Sequence, residues 1–240
     1  MEHKLEWLSE EEGRIIFLEE DKTFLIAEFF LTGEEEAEFK IQEIVPEDIK
    51  ENSLSEKIIL KTEECLLKCF QLLWDEGLEE VVLAVQNGTQ TEKILNSVNV
   101  LSKVYSEYMM KRHIELQKSA DSAFDFLELT KIEEGYICEN KEKNFFCRLF
   151  SYEAEAEGGQ TFYLYEVEVK KTSRNKGIAT KCLTGVFSML SQEAPLTIYL
   201  QAGSYNEPAV HLYKKLGFEI SEEFRYYIPA EMSDESNYSA

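Results

Sequence analysis

The heptapeptide Arg174-Asn175-Lys176-Gly177-Ile178-Ala179-Thr180 joins an apolar run that ends at Val169 to a helical pattern that begins near Gly177. A strand that turns through a basic, glycine-containing loop into a helix forms an anion site, because free backbone N–H groups and the positive end of the helix dipole converge there. Five cationic side chains lie within twelve residues of this region, with no acid among them: Lys170, Lys171, Arg174, Lys176 and Lys181. In a chain with a formal net charge of −22, this local basic segment predicts a bound phosphate.

The spacing of this loop reads Arg-x-x-Gly-x-Ala, which differs from the dinucleotide and nucleoside-triphosphate fingerprints. Arg174-x-x-Gly177-x-Ala179 resembles the acyl-CoA pyrophosphate loop of the GNAT N-acetyltransferase superfamily. A second segment has Asn206 at a helix start and then Leu212-Tyr213-Lys214-Lys215-Leu216-Gly217-Phe218, which resembles the second signature of that family. The two signatures occur in the expected order, about thirty residues apart, and together indicate this family for residues 160–228.

The resemblance implies that the chain binds acetyl-CoA as a cosubstrate, without a metal. The pyrophosphate would rest on the backbone N–H groups of the loop, and the pantetheine arm would pair like an added strand with the end of the long strand. The residues expected to contact acetyl-CoA are Val167, Val169, Arg174, Asn175, Lys176, Gly177, Ile178, Ala179, Thr180, Asn206 and Ala209. The backbone N–H of Val169 is the expected oxyanion donor.

The resemblance also implies direct transfer of an acetyl group to a primary amine of a small molecule or protein. Tyr213 occupies the tyrosine position of the family and is the expected general acid for the departing thiolate, with packing on the sheet as the structural alternative. Glu168 and Glu166 are the candidates for the base that takes a proton from the amine, and Glu168 is preferred because it lies nearer the expected thioester. A water chain as the base, and a non-catalytic CoA-binding or protein-interaction module as the function, stay open as alternatives.

The order of predicted elements favours an α/β (α+β) fold with two copies. The second half has strands near 123–130, 135–139, 144–152 and 161–169, a helix over 177–190, a strand over 197–201, a helix from 206, and strands over 218–220 and 224–228. The first half has a hairpin over 14–19 and 23–31, a strand over 39–45, a helix over 54–74, a strand over 78–85, a helix over 92–98 and two further strands up to His113.

These matching orders predict two tandem GNAT-like domains, each a mixed central β-sheet flanked by helices. Residues 1–117 would be a degenerate copy without a CoA loop, and residues 118–240 the acetyltransferase domain with the acetyl-CoA site. In the place of a phosphate loop the first copy has Pro46-Glu47-Asp48-Ile49-Lys50-Glu51, whose acids would repel a pyrophosphate. An unrelated α/β domain is the alternative for the first half.

Composition restricts the partners. An acidic surface repels nucleic acid and favours a cationic amine as acceptor. The sequence contains no run of eighteen apolar residues, so we expect no membrane span. Five scattered cysteines fit a reduced, cytoplasmic protein, and a zinc site is not expected because none of the three histidines lies near a cysteine pair. The oligomeric state, a homodimer included, is left open, as are the acceptor and the acyl chain length.

Overall fold

The computed structural model describes residues 1–44, 55–117, 124–151 and 159–233. The chain divides into two compact units, of which unit 1 comprises Met1–Ser106 with Glu223–Ala240 and unit 2 comprises Glu107–Glu222. The boundary that the sequence places between residues 117 and 118 stays a prediction about the two copies. The predicted acidic segment 46–51 lies outside the described residues.

The described elements follow one another in an order that repeats once. In chain order they are β1 (Glu2–Trp7), β2 (Glu12–Glu19), β3 (Lys22–Leu31), β4 (Glu36–Ile44), α1 (Glu56–Asp75), β5 (Glu80–Gln86), α2 (Gln90–Leu95), β6 (Leu101–Ile114), β7 (Leu127–Ile132), β8 (Gly135–Asn140), β9 (Phe145–Ser151), β10 (Gln160–Val169), α3 (Ile178–Leu190), β11 (Leu196–Gly203), α4 (Glu207–Lys215) and β12 (Glu219–Pro229). Four strands, a helix, a strand, a shorter helix and a last strand thus occur twice.

Unit 1 is a mixed sheet packed against α1. Strands β1 to β4 are antiparallel neighbours, β4 pairs with β5 in parallel, and β5 pairs antiparallel with the 224–227 part of β12. The helix α1 begins at Ser55, whose side chain accepts a hydrogen bond from the N–H of Ile58. Its buried apolar residues recur at helical spacing and form one stripe that packs on the sheet: Cys65, Leu66, Cys69, Phe70 and Leu73.

Unit 2 repeats this architecture. Strands β7 to β10 are antiparallel, β10 pairs with β11 in parallel, and β11 pairs antiparallel with β6 from Glu107 to Ile114. The helices α3 and α4 bury apolar residues such as Phe187 and Val210 in one core with Leu164 and Ile198 of the sheet. Both helices therefore cover the same face of this sheet.

The two units agree in the details of their fourth strands. The parallel pairing of β4 with β5 ends at Phe39↔Leu83, and that of β10 with β11 ends at Tyr163↔Tyr199. Just beyond each of these last parallel pairs, the register with the antiparallel neighbour strand shifts. Gln42 is the extra residue where β4 pairs with β3, and Glu166 lies within the shift where β10 pairs with β9. The same departure from regular pairing thus occurs at the same distance from the end of the parallel pairs in both copies.

Most predicted elements are confirmed, with shifted ends, but the last strands are not. The two strands predicted up to His113 are the single strand β6, and those predicted over 218–220 and 224–228 are the single strand β12. Polar residues in the middle of each strand resembled turns, although the backbone stays extended through them. The edge strand β1 was missed because most of its residues are exposed and it lacks an apolar alternation. Among the described residues, no helix is both long enough and apolar enough to cross a membrane.

Candidate functional site

The site of unit 2 is a cleft beside the second half of β10. β10 continues six residues past Tyr163 to Val169 without pairing with β11, so within the described residues the backbone of this segment is unpaired on that side. A cleft with a volume of about 980 Å³ lies here. Twelve of the residues singled out from the sequence line it: Val167, Glu168, Val169, Arg174, Asn175, Gly177, Ile178, Ala179, Thr180, Asn206, Ala209 and Tyr213. Glu166 and Lys176 are absent from the described lining.

The backbone of the loop leads into an uncapped helix. Asn175 and Gly177 both have left-handed backbone conformations, with φ values of 62° and 74°. Gly177 stands at the N-cap of α3, where no side chain caps the helix and the first turn carries no acid. The N–H groups of the first turn therefore have no partner within the helix, and the residues that carry them, 178–180, line the cleft. This arrangement favours an anion in the cleft.

Gly177 is required for its backbone angle rather than for lack of local space. A Cβ built on this residue would meet no atom within 4 Å, so the region in front of it is open. Its φ of 74° is nevertheless a conformation that residues with a side chain rarely adopt. The close approach of a phosphate that the sequence predicts at Gly177 is sterically allowed.

Two basic residues of the loop are engaged with the backbone. The Nε of Arg174 donates a hydrogen bond of 3.1 Å to the carbonyl of Val169, and the Nζ of Lys176 donates one of 3.0 Å to the carbonyl of Thr172. Three further basic residues that the sequence interpretation did not assign to the site also line the cleft: Lys143, His211 and Lys215. Two of these lie on α4, where the sequence pattern could have located them once the helix start at Asn206 was known.

A β-bulge separates the two candidate bases. Tyr165 lies opposite Arg148 and Glu168 lies opposite Phe146, so Glu166 and Val167 together face the single residue between. The regular alternation expected along this strand breaks at Glu166, whose φ is 49°. Residues directly opposite each other share a face of the sheet, so the bulge moves Glu168 onto the face of Tyr165 and away from the core face of Leu164.

The bulge also gives the two carboxylates different surroundings. The Oε2 of Glu166 lies 3.0 Å from the Nε of Arg148 in an ion pair at the surface, whereas Glu168 is exposed to the cleft. Of the two candidates, Glu168 is therefore the one that borders the predicted acetyl-CoA site.

The backbone N–H of Val169 points toward the cleft. The N–H of the next residue, Lys170, donates a hydrogen bond of 2.9 Å to the carbonyl of Asn144, on the β9 side of the strand. Successive N–H groups of a strand alternate in direction, so that of Val169 points to the opposite side. The bond from Arg174 to the carbonyl of Val169 is made on that same side.

Tyr213 of α4 is buried and lines the cleft. Its ring packs edge-on against Phe218, with ring centroids 5.8 Å apart. Burial raises the pKa of the Tyr213 hydroxyl to about 12. The hydroxyl has no hydrogen-bond partner among the described residues and stays protonated at neutral pH, so it is available as a donor.

Asn206 performs the structural role that the sequence predicts. Its side chain accepts a hydrogen bond of 3.3 Å from the N–H of Ala209 and so caps α4, with Pro208 in the first turn. At the other end of the helix Gly217 has a φ of 84°, as expected for the residue that ends it. These two residues fix the helix that carries Tyr213 to the cleft.

Comparison with known proteins places this geometry in context. Residues 104–218 match the model of the Acetyltransferase (GNAT) family. The chain resembles a GCN5-related N-acetyltransferase from Sphaerobacter thermophilus with a TM-score of 0.59 at 11% identity, over 92% of this chain and 80% of that one. It resembles a GCN5-related N-acetyltransferase from Kribbella flavida with a TM-score of 0.54 at 10% identity, over 85% and 86% of the two chains.

A further solved structure bears on the repeat. A tandem GNAT protein from the clavulanic acid biosynthesis pathway resembles the chain with a TM-score of 0.51 at 8% identity, over 90% of this chain and 82% of that one. No curated protein matches the sequence. At these identities the likeness concerns the fold, and it confirms the prediction of two tandem GNAT-like domains with mixed sheets.

Proposed function

Residues 104–218 match the model of the GNAT acetyltransferase family, and on that premise we propose that the chain is an acetyl-CoA-dependent N-acetyltransferase acting on a primary amine of a small molecule or protein. One observation carries the proposal. The unpaired edge of β10, the uncapped start of α3 and the hydroxyl-bearing side chain of Tyr213 all border a single cleft. Strand edge, anion site and proton donor are the parts that acetyl transfer from a thioester needs.

The fit to acetyl-CoA rests on three features of the cleft. The first turn of α3 and the residues Lys170, Lys171 and Arg174 would hold the phosphates. The free edge of β10 at 167–169 can pair with an extended amide chain as an added strand would. The open region in front of Gly177 leaves room for close approach. When bound, acetyl-CoA would supply the acetyl group as a thioester.

Three residues that line the cleft, Val169, Glu168 and Tyr213, have roles in the proposed reaction. The N–H of Val169 stabilises negative charge on the acyl oxygen, a contribution of roughly 3 kcal/mol where such donors have been removed. Glu168 accepts a proton from the incoming ammonium, directly or through water, so that the neutral amine can attack. The N–C bond forms as the C–S bond breaks, and the hydroxyl of Tyr213 would donate a proton to the departing sulfur. The second proton that the nitrogen loses on becoming an amide would pass through water to the Tyr213 oxygen, which restores its hydroxyl.

Calorimetric titration of the full chain with acetyl-CoA tests the proposal, with NAD and ATP as controls. Binding of acetyl-CoA alone, followed by release of free CoA thiol when primary amines are added, would support it. A folded chain that does not bind acetyl-CoA would contradict the cofactor site. Binding without thiol release across an amine panel would favour a non-catalytic CoA-binding module on the same fold.

A further inference from the structure

The sheet of unit 2 has a second face that its own helices do not cover. The buried residues of α3 and α4 pack with Phe162, Leu164 and Ile198, which define one face. Tyr163 and Tyr199 are paired with each other and alternate with those residues, so they lie on the opposite face. Tyr163 and Tyr199 are partly exposed, and Gln201, two residues further along β11, is exposed. We call this surface the open face.

A hydrogen-bonded chain of three side chains crosses the open face where β10 and β11 part. The hydroxyl of Tyr163 donates a hydrogen bond of 3.4 Å to the Oε1 of Gln201, and the Nε2 of Gln201 donates one to the Oε2 of Glu107. Tyr163 belongs to the last parallel pair of the two strands. Burial, and next the negative charge of Glu107, raise the pKa of the Tyr163 hydroxyl. These hydrogen bonds therefore hold the Glu107 carboxylate at a defined position on the open face.

An aromatic ring lies next to this carboxylate. Glu107 is directly opposite Gly203 in the pairing of β6 with β11. A Cβ on Gly203 would lie 2.5 Å from the ring of Tyr205, so this glycine makes room for the ring. Tyr205 is 61% exposed, and the following residue, Asn206, lines the cleft. Tyr205, which lies beside Glu107, is therefore adjacent in sequence to a residue that lines the cleft.

Aromatic rings of the open face already have cations against them. The Nζ of Lys111 lies 5.3 Å from the ring centroid of Tyr199, its direct neighbour across the strands. The guanidinium of Arg148 lies 5.6 Å from the ring centroid of Phe146. Distances below about 6 Å are those of cation–π attraction. These contacts do not involve the carboxylates, and they show that the rings of the open face accommodate cationic groups.

Two carboxylates flank the open face at a separation that selects the ligand. Glu168 reaches this face through the bulge and also lines the cleft, whereas Glu107 lies on β6, two strands from β10 in the pairing order. Two strand spacings amount to about 10 Å, and the parting of β10 from β11 adds to this. An alkyl chain with an ammonium group at each end spans such a distance.

Resting on the proposed function, we propose that the open face is the acceptor site and that the acceptor is a diamine or polyamine. Its reacting nitrogen lies beside Glu168, and its second ammonium group is held by Glu107 with the rings of Tyr163 and Tyr205. Glu107 is then a specificity-determining residue that does not touch the reacting atoms. The net charge of −22 favours the encounter with such a cation.

The test compares spermidine and 1,8-diaminooctane with octylamine as acceptors of the full chain. We expect kcat/KM for the two polycations to exceed that of the monoamine by about 100-fold, and Glu107→Gln to remove most of this preference through KM with kcat unchanged. Glu115→Gln, at an exposed position just beyond β6, serves as the matched control. Equal kcat/KM for all three amines, or a Glu107→Gln effect confined to kcat, would overturn the proposal.

An equilibrium measurement keeps this inference separate from the proposed function. Calorimetric binding of spermidine to the full chain with acetyl-CoA present should weaken by at least tenfold in Glu107→Gln, whether or not turnover occurs. Thermal unfolding of the variant controls for misfolding. If the unmodified chain does not bind acetyl-CoA, the result counts against the proposed function. If it binds acetyl-CoA but not spermidine, the result counts against the polyamine site alone.

Discussion

The Nε of Arg174 donates a hydrogen bond of 3.1 Å to the backbone carbonyl of Val169. This bond ties the phosphate loop to the last residue of β10, whose N–H is the proposed oxyanion donor. Arg174 therefore has a positioning role in addition to its charge. The loop that would bind the cofactor and the strand end that would assist the chemistry are held together by this bond.

Replacing Arg174 by methionine should affect both binding and turnover. Arg174→Met removes the charge and the donor to Val169 but keeps much of the aliphatic length. Because a hydrogen bond to a charged group contributes about 1.5–3 kcal/mol, we expect roughly tenfold losses in acetyl-CoA affinity and in kcat. Lys176→Met, a neighbouring cation outside the described lining, should change both by less than threefold. Equal effects of the two variants would argue against the positioning role of Arg174.

A glutamate at position 177 should abolish cofactor binding. Gly177→Glu places a carboxylate in front of the helix start, and we expect acetyl-CoA affinity to fall by at least about 100-fold. Gly77→Glu is the matched control, since Gly77 of unit 1 also has a positive φ, of 91°, and no atom near a built Cβ. Both variants should lose about 1–2 kcal/mol of stability from backbone strain. Calorimetry on both proteins separates strain from the loss of the anion site.

The two carboxylates beside the bulge should differ in their effect on turnover. Glu168→Gln removes the proposed proton acceptor at the cleft, and we expect kcat/KM to fall by about 100-fold. Glu166→Gln removes only a surface ion pair with Arg148 and should leave kcat/KM within about twofold. Steady-state kinetics with one amine at fixed pH decides between them. The reverse order of effects would assign the base to Glu166.

Removing the hydroxyl of Tyr213 should slow the chemical step without weakening the cofactor. Tyr213→Phe keeps the edge-on contact with Phe218, so we expect an unchanged dissociation constant for acetyl-CoA and a kcat about 10- to 100-fold lower. Tyr136→Phe, which leaves the ring packed on Phe162, controls for a general effect of losing a phenol in this unit. An unchanged kcat in Tyr213→Phe would exclude Tyr213 as the acid.

Tyr213 should also make stability fall at alkaline pH. Its pKa is about 12 in the folded chain and about 10 in an unfolded one, so the folded state binds this proton more tightly. The contribution is fully present below pH 10 and is lost as the pH rises through 12, by roughly 3 kcal/mol in all. Denaturant unfolding at several pH values should show a smaller alkaline loss in Tyr213→Phe than in the parent. Parallel curves for the two proteins would contradict the raised pKa.

The sequence predicted most of the elements and twelve of the residues that line the cleft, because the loop between Val169 and Ile178 combines local signals that act over a few residues. Gly177 has the positive φ that favours glycine, and Asn206 and Gly217 bound α4 as capping rules predict. These features depend on backbone chemistry at single positions, which a sequence records directly.

The bulge at Glu166 could not have been predicted in the same way. A left-handed residue in a strand favours glycine or asparagine, and a glutamate gives no sign of it. Regular alternation of side chains along the strand would therefore place Glu166 and Glu168 on the same face as the buried residues Phe162 and Leu164. The register shift that resolves this conflict depends on β9, through the pairing of Glu168 with Phe146. The continuity of β6 and β12 likewise depends on partners distant in sequence.

The division of β12 between the units has a consequence for synthesis on the ribosome. Unit 1 contains all of the first 106 residues, yet β5 pairs with residues 224–227, which are made roughly 140 residues later. At about 5–20 residues per second, the edge of β5 waits on the order of ten seconds for this partner. An unpaired strand edge can template aggregation in that interval. The unit whose synthesis begins first is thus the last to be completed, and a nascent chain stalled before residue 224 would carry an open sheet edge.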